Sequence, residues 1–181
     1  MMKTTMIITF LFLILGISLN GQDKEPGDQV QTIEEFYDLY RYQHYYIAGQ
    51  PSLDEFKWLR SQGVTKVINL RSESENEDFT ASSFNESSIV EELGMEYFSI
   101  PVAGRSGYSP ENLTAMGDLI GDDEIVLIHC GGAGRATSFL MGYLVRFRGY
   151  TLDEAVDVGQ EMTYFISLEN LLDVEITMQA R

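Results

Sequence analysis

Cysteine is nearly absent from this chain: among 181 residues there is one, Cys130, accompanied by two histidines, His44 and His129. A single cysteine cannot close an internal disulfide, so its thiol is unpaired, pairs between chains, or is kept for chemistry. The two histidines share no ligand spacing with it, so no metal site and no cofactor are expected. Positive charge is scarce as well, with 12 Lys and Arg against 28 Asp and Glu and a formal net charge of −16. Sequence-independent nucleic-acid binding and an anionic membrane surface both reward clustered cations, and the chain has too few, so no nucleic-acid partner is expected. The apolar run Met6 to Leu19 is shorter than the roughly 20 residues that a bilayer-spanning helix needs.

That run follows Met1-Met2-Lys3 and precedes polar Asn20-Gly21-Gln22, the order of a secretory signal. Residues 1–21 are therefore expected to be a signal peptide and the product to be exported, periplasmic or secreted. No cysteine lies just after the run, the single one being Cys130 far downstream, which disfavours a lipid anchor, so no stable membrane anchor is expected once the signal is removed. Residues 22–44 read as a linker and N-terminal segment, within which Thr32 to Phe36 could open a short helix.

From residue 45 onward, strands and helices alternate. Tyr45-Tyr46-Ile47-Ala48 reads as a strand, and Ser52-Leu53-Asp54-Glu55 has a helix-start capping box. Val64 to Leu70 supplies the next strand. Ser72 to Ser88 is acidic and serine-rich without apolar periodicity, so a loop is expected, leading into a helix from about Asn85 to Leu93. Glu96 to Ile100 makes a strand, Ser109-Pro110-Glu111 a helix start, and Glu124 to Ile128 an apolar strand of the kind covered on both faces. Helices follow from about Ala136 to Arg148, from the box Thr151-Leu152-Asp153-Glu154, and after Ser167. This order implies one α/β domain over residues 45–181. It would have three layers, with a mostly parallel sheet of about four or five strands flanked by helices and the sites outside the carboxyl ends of the strands. Loops beginning at Arg71, Pro101 and Cys130 should share that edge.

His129-Cys130-Gly131-Gly132-Ala133-Gly134-Arg135 joins an apolar strand to an apolar helix. Glycines permit positive φ and let successive N–H groups turn inward as an anion nest, to which the following helix adds its positive end. Such a cup suits a tetrahedral oxyanion held by Gly131, Gly132, Ala133, Gly134 and Arg135, and the same field favours a thiolate nucleophile at Cys130. The planar guanidinium of Arg135 can hold two phosphoryl oxygens. A glycine-rich turn beside a buried cysteine can be only a tight turn, but here the strand, nest, helix and arginine coincide. His129 reads as a satisfied core histidine that orients the loop.

At these residues the sequence resembles the cysteine-dependent protein tyrosine and dual-specificity phosphatases, whose signature is His-Cys, five residues, Arg, then Ser or Thr. The four-residue spacing here is similar to a bacterial branch of that superfamily, a phosphatase-like domain also found fused to β-lactamase-like hydrolases, with relatives attached to NAD kinases. Tyr46 to Pro51, Gly63 to Arg71, Ile100-Pro101-Val102, Gly149 and Glu154-Ala155 resemble it too.

The resemblance implies a dual-specificity phosphatase-like fold, a phosphorylated protein or small molecule as substrate, and a phosphocysteine on Cys130. It also exposes two departures. The loop Pro101 to Tyr108 offers no carboxylate where such phosphatases carry an aspartic general acid, leaving Glu111 and Asp78 as substitutes. Ala136 stands where a hydroxyl usually follows the arginine, and Thr137 comes one position late. Arg71 and Arg105 at the active edge could widen the positive cup. Two other readings stay open, a non-catalytic oxyanion-binding module and a rhodanese-like sulfurtransferase.

Overall fold

The computed structural model describes residues 28–163 and 168–175. The expected signal over residues 1–21 and the first residues of the expected linker lie outside them. A six-stranded sheet runs in the order β1-β2-β3-β6-β4-β5. Its strands are β1 (Gln31–Thr32), β2 (Leu39–Tyr42), β3 (Tyr45–Ala48), β4 (Lys66–Asn69), β5 (Glu96–Ser99) and β6 (Val126–His129). The four strands β3, β6, β4 and β5 are mutually parallel, as expected. Two antiparallel strands, β2 against β3 and β1 against β2, extend them.

Side-chain alternation divides the strands between two cores. Tyr45, Ile47, Ile68, Val126 and Ile128 point to one face, and Tyr46, Ala48, Val67 and Leu127 to the other. The first face is covered by α4 (Pro110–Leu119), α5 (Gly134–Phe147), α6 (Leu152–Gln160) and α7 (Glu169–Leu172). The second packs against α1 (Leu53–Ser61) and α3 (Glu86–Glu92), through Phe56, Leu59 and Val90. Each such fully buried Leu, Val or Phe contributes about 1.5–3 kcal/mol relative to an exposed position, so both faces must stay covered. The result is the three-layer α/β architecture expected from the alternation of elements.

Two expectations are corrected. Residues 32–36 form no helix; β1 ends at Thr32, the Ile33 N–H donates to the Leu39 carbonyl, and Asp38 takes a left-handed φ of 53°. The turn feeds β2, which the aromatic stretch conceals because Leu39 and Tyr42 are buried by the sheet rather than by a helical face. The stretch expected as a loop after Ser72 contains a helix, α2 (Glu73–Ser82), none of whose residues is buried. Apolar periodicity cannot reveal such a helix. Its start is set instead by a capping box, in which Ser72 accepts from the Glu75 N–H and Glu75 accepts from the Ser72 N–H at 2.8 Å.

Because β6 lies between β3 and β4, the segment after His129 leaves from the middle of the sheet. It is flanked by the segments that leave β3 and β4, and the one that leaves β5 lies next along the same edge.

Candidate functional site

Cys130 follows β6 directly and is 2% exposed, with its N–H donating to the Ala48 carbonyl at 3.2 Å. A bridge between Gly49 and Gly132 then holds the loop to the end of β3. The loop turns into α5 at Ala133, whose φ of 59° is left-handed, while none of Gly131, Gly132 and Gly134 has a positive φ. The expectation that the glycines supply the reversed φ is therefore corrected. A Cβ on Gly131 would lie in ordinary contact, 3.4 Å from a Glu75 carboxylate oxygen and 3.5 Å from Arg135, and one on Gly132 would meet nothing within 4 Å. No side chain caps the first turn of α5; the Gly134 N–H, expected to bind the anion, donates instead to the Gly132 carbonyl at 2.7 Å, and the N–H groups of Arg135 and Ala136 with the positive end of the helix are left to an anion.

Arg135, on that first turn, is held on several sides. Its Nη1 donates to Glu75 Oε2 at 2.7 Å, to the Val102 carbonyl at 3.0 Å and to the Leu70 carbonyl at 3.3 Å, while Nη2 donates to Glu75 Oε1 at 2.5 Å. The guanidinium is thus fixed by the segments after β4 and β5 and by α2, and it interacts electrostatically with Cys130 as well. Glu75 above all, and Cys130 after it, raise Arg135 above its ordinary value against the cost of burial. Reciprocally, the hydrogen bonds from Arg135 lower Glu75 to about 2, so it stays a carboxylate.

Glu75 was missed from sequence because α2 was read as a loop. The Ser72-Glu73-Ser74-Glu75 box was the available signal.

Of the other expected site residues, Arg105 lines the opening in front of Arg135. Arg71 turns away from it, donating to Gln50 Oε1 and to the Glu75 carbonyl and stacking 4.8 Å over the Phe79 ring. It thereby fastens α2 to the sheet.

His129 is fully buried, with Nε2 3.1 Å from Glu86 Oε1, but neither ring nitrogen has an aligned hydrogen-bond partner, so the expectation of a hydrogen-bonded, satisfied core histidine is corrected. Glu86 also accepts from Asn69 at 2.8 Å, Tyr97 at 3.0 Å and Gln50 at 2.5 Å. Burial pushes the Glu86 carboxyl up, but His129, Gln50 and Tyr97 outweigh it and hold it well below the usual carboxylate range. This network lies beneath the loop and ties the ends of β4 and β6 to α3. The Thr137 hydroxyl is buried without a hydrogen-bond partner.

Arg135 opens onto a hollow of about 420 Å³ lined by Val102, Gly104, Arg105, Tyr108, Glu169 and Asn170. Neither substitute acid lines it. Glu111 turns to its own helix start at Ser109, and Asp78 lies exposed on α2. Among the described residues no group of three or more His, Cys, Asp or Glu side chains is gathered as a metal site needs.

The wall carrying Val102 depends on Gly107, since a Cβ there would meet the Val102 Cα at 2.8 Å and its carbonyl carbon at 2.9 Å. Backbone cannot yield as a flexible side chain can. Gly107→Ala is expected to cost about 1–3 kcal/mol and to draw the Val102 carbonyl off Arg135. Thermal melting beside a turnover assay checks both.

Comparison with known proteins agrees with this fold. A family model described as "DSP-PTPase phosphatase fused to NAD+ Kinase" matches residues 26–171. A "Beta-lactamase hydrolase-like protein" of Agrobacterium fabrum is 32% identical over 112 residues, which are 61% of this chain and 23% of that protein, so the match spans under a quarter of the relative. Among solved structures, a DUF442 phosphatase from Shewanella putrefaciens superposes with a TM-score of 0.55 at 24% identity over 70% of this chain and 82% of that one. Pseudomonas aeruginosa TpbA in complex with pTyr gives 0.60 at 13% identity over 83% and 86%. At these identities the two structures speak for the fold.

Proposed function

This chain belongs to the DSP-PTPase phosphatase family, and we propose that it hydrolyses phosphate monoesters through a phosphocysteine on Cys130. The observation that carries the reading is the placement of Arg135 beside Cys130 on the uncapped first turn of α5. The Cys130 thiolate attacks phosphorus as the ester P–O bond breaks. Arg135 and the loop N–H groups hold the equatorial oxygens. Water then attacks phosphorus, the S–P bond breaks, and phosphate leaves with the thiolate restored. Phosphorylated tyrosine and other aryl phosphates are the substrates proposed first, since TpbA binds pTyr in a similar fold and phenolic leaving groups depart most easily. We place this activity outside the cytoplasm, on the signal-like start of the sequence.

Rapid acid quenching of the purified protein with para-nitrophenyl phosphate, followed by mass spectrometry of the Cys130 peptide, tests the mechanism. A phosphorylated Cys130 peptide, absent from Cys130→Ser, is the expected result. Turnover without a covalent adduct refutes the intermediate. Thiocyanate made from thiosulfate and cyanide, with no phosphate release, identifies a sulfurtransferase. Vanadate binding without either product identifies an oxyanion-binding module.

A further inference from the structure

We propose that Glu169 is the proton donor to the leaving group, supplied by α7 instead of by the loop over residues 101–108. The inference rests on the phosphatase reading and adds the residue that the reading lacks. Expulsion of an ester oxygen requires a proton on it unless the leaving group is already a good one. Residues 101–108 contain no carboxylate. Glu75 is near Arg135 but is unsuited, because it gives both oxygens to the guanidinium and stays ionised down to about pH 2.

Along the hollow of about 420 Å³ onto which Arg135 opens, Glu169 is the one carboxylate among the described lining residues. A leaving group that extends from a phosphoryl group at Arg135 into this hollow has Glu169 in the wall beside it. Among the described residues that line the same hollows as Glu169, the charged and titratable ones are Arg105, Tyr108 and Arg135 in this hollow, with Asp173 and Glu175 in the adjoining one of about 780 Å³.

The proton balance closes over the cycle. As the S–P bond forms and the P–O bond breaks, the ester oxygen takes the Glu169 proton and leaves as an alcohol or phenol. As water attacks the phosphocysteine, Glu169 takes a proton from it, the S–P bond breaks, and the free enzyme is restored with hydrogen phosphate released.

Glu169→Gln, Tyr108→Phe and wild type are to be compared on phenyl phosphate and on para-nitrophenyl phosphate, with pH profiles, thermal melting and vanadate affinity. Glu169→Gln is expected to lose about 10²-fold on phenyl phosphate and far less on the nitrophenyl ester. It should also lose the alkaline fall of the rate while keeping its melting temperature and vanadate affinity. Equal losses on both esters would mark a structural role and overturn the proposal. So would the ester-dependent loss appearing in Tyr108→Phe instead. If wild type hydrolyses neither ester, the phosphatase reading itself fails, a result distinct from Glu169→Gln matching an active wild type.

Discussion

Arg135→Ala is expected to lower turnover of an aryl phosphate by roughly 10³-fold, in line with removal of a guanidinium that neutralises phosphoryl oxygens. Here the side chain does two things at once. It supplies charge beside Cys130, and it joins α2 to the segments after β4 and β5 through Glu75, Leu70 and Val102. Arg135→Lys should restore little, because an ammonium cannot span both Glu75 oxygens and the Val102 carbonyl in one plane. Steady-state kinetics of the two variants check this. An Arg135→Lys enzyme near wild-type rate would show that charge alone suffices.

Glu75→Gln tests the other end of the pair. Since Glu75 is lowered from 4.5 to about 2 in the folded protein, its contribution is complete above its ordinary value and is lost as pH falls through about 2. The stability gap between wild type and Glu75→Gln should therefore be constant from neutral pH to roughly pH 4.5 and close below it. Denaturation midpoints across that range measure it.

The largest loss of stability is expected from Glu86→Ala. One buried carboxylate accepts from Asn69, Tyr97 and Gln50 and contacts His129. Its removal leaves these donors without their acceptor, at about 1–3 kcal/mol for each that stays buried, which corresponds to a fall in melting temperature on the order of 10 °C. Activity should fall with it, because His129 precedes Cys130 and Gln50 lies next to the Gly49 bridge to the loop. Glu86→Gln keeps one acceptor oxygen and should fall between the two.

The pH dependence has a definite sign. A carboxyl held below its ordinary value contributes stability above that value and loses it as pH falls through the lowered one. The gap between wild type and Glu86→Ala should narrow only in acid. A Glu86→Ala protein that melts within a few degrees of wild type would show that the network is dispensable.

The parallel sheet was legible because its strands are short, apolar and separated by capped helices. Val64 to Leu70 and Glu124 to Ile128 contain β4 and most of β6, and Thr151 to Glu154 opens α6 as its pattern says. The two arginines offered as substrate contacts were separated only by the structure. Both lie after a strand of the active edge, but the Arg71 side chain runs back to Gln50 and α2 while Arg105 faces the opening.

By itself the sequence determined the α/β order and pointed to a candidate anion loop, because strand and helix periods, caps and a Cys-to-Arg spacing are local properties of the chain. Tertiary structure alone decided which acids stand near the candidate site. Glu75, Glu86 and Glu169 come from three different helices. What each carboxylate does depends on whether it meets Arg135, a buried histidine or an open hollow, and those neighbours are distant in sequence.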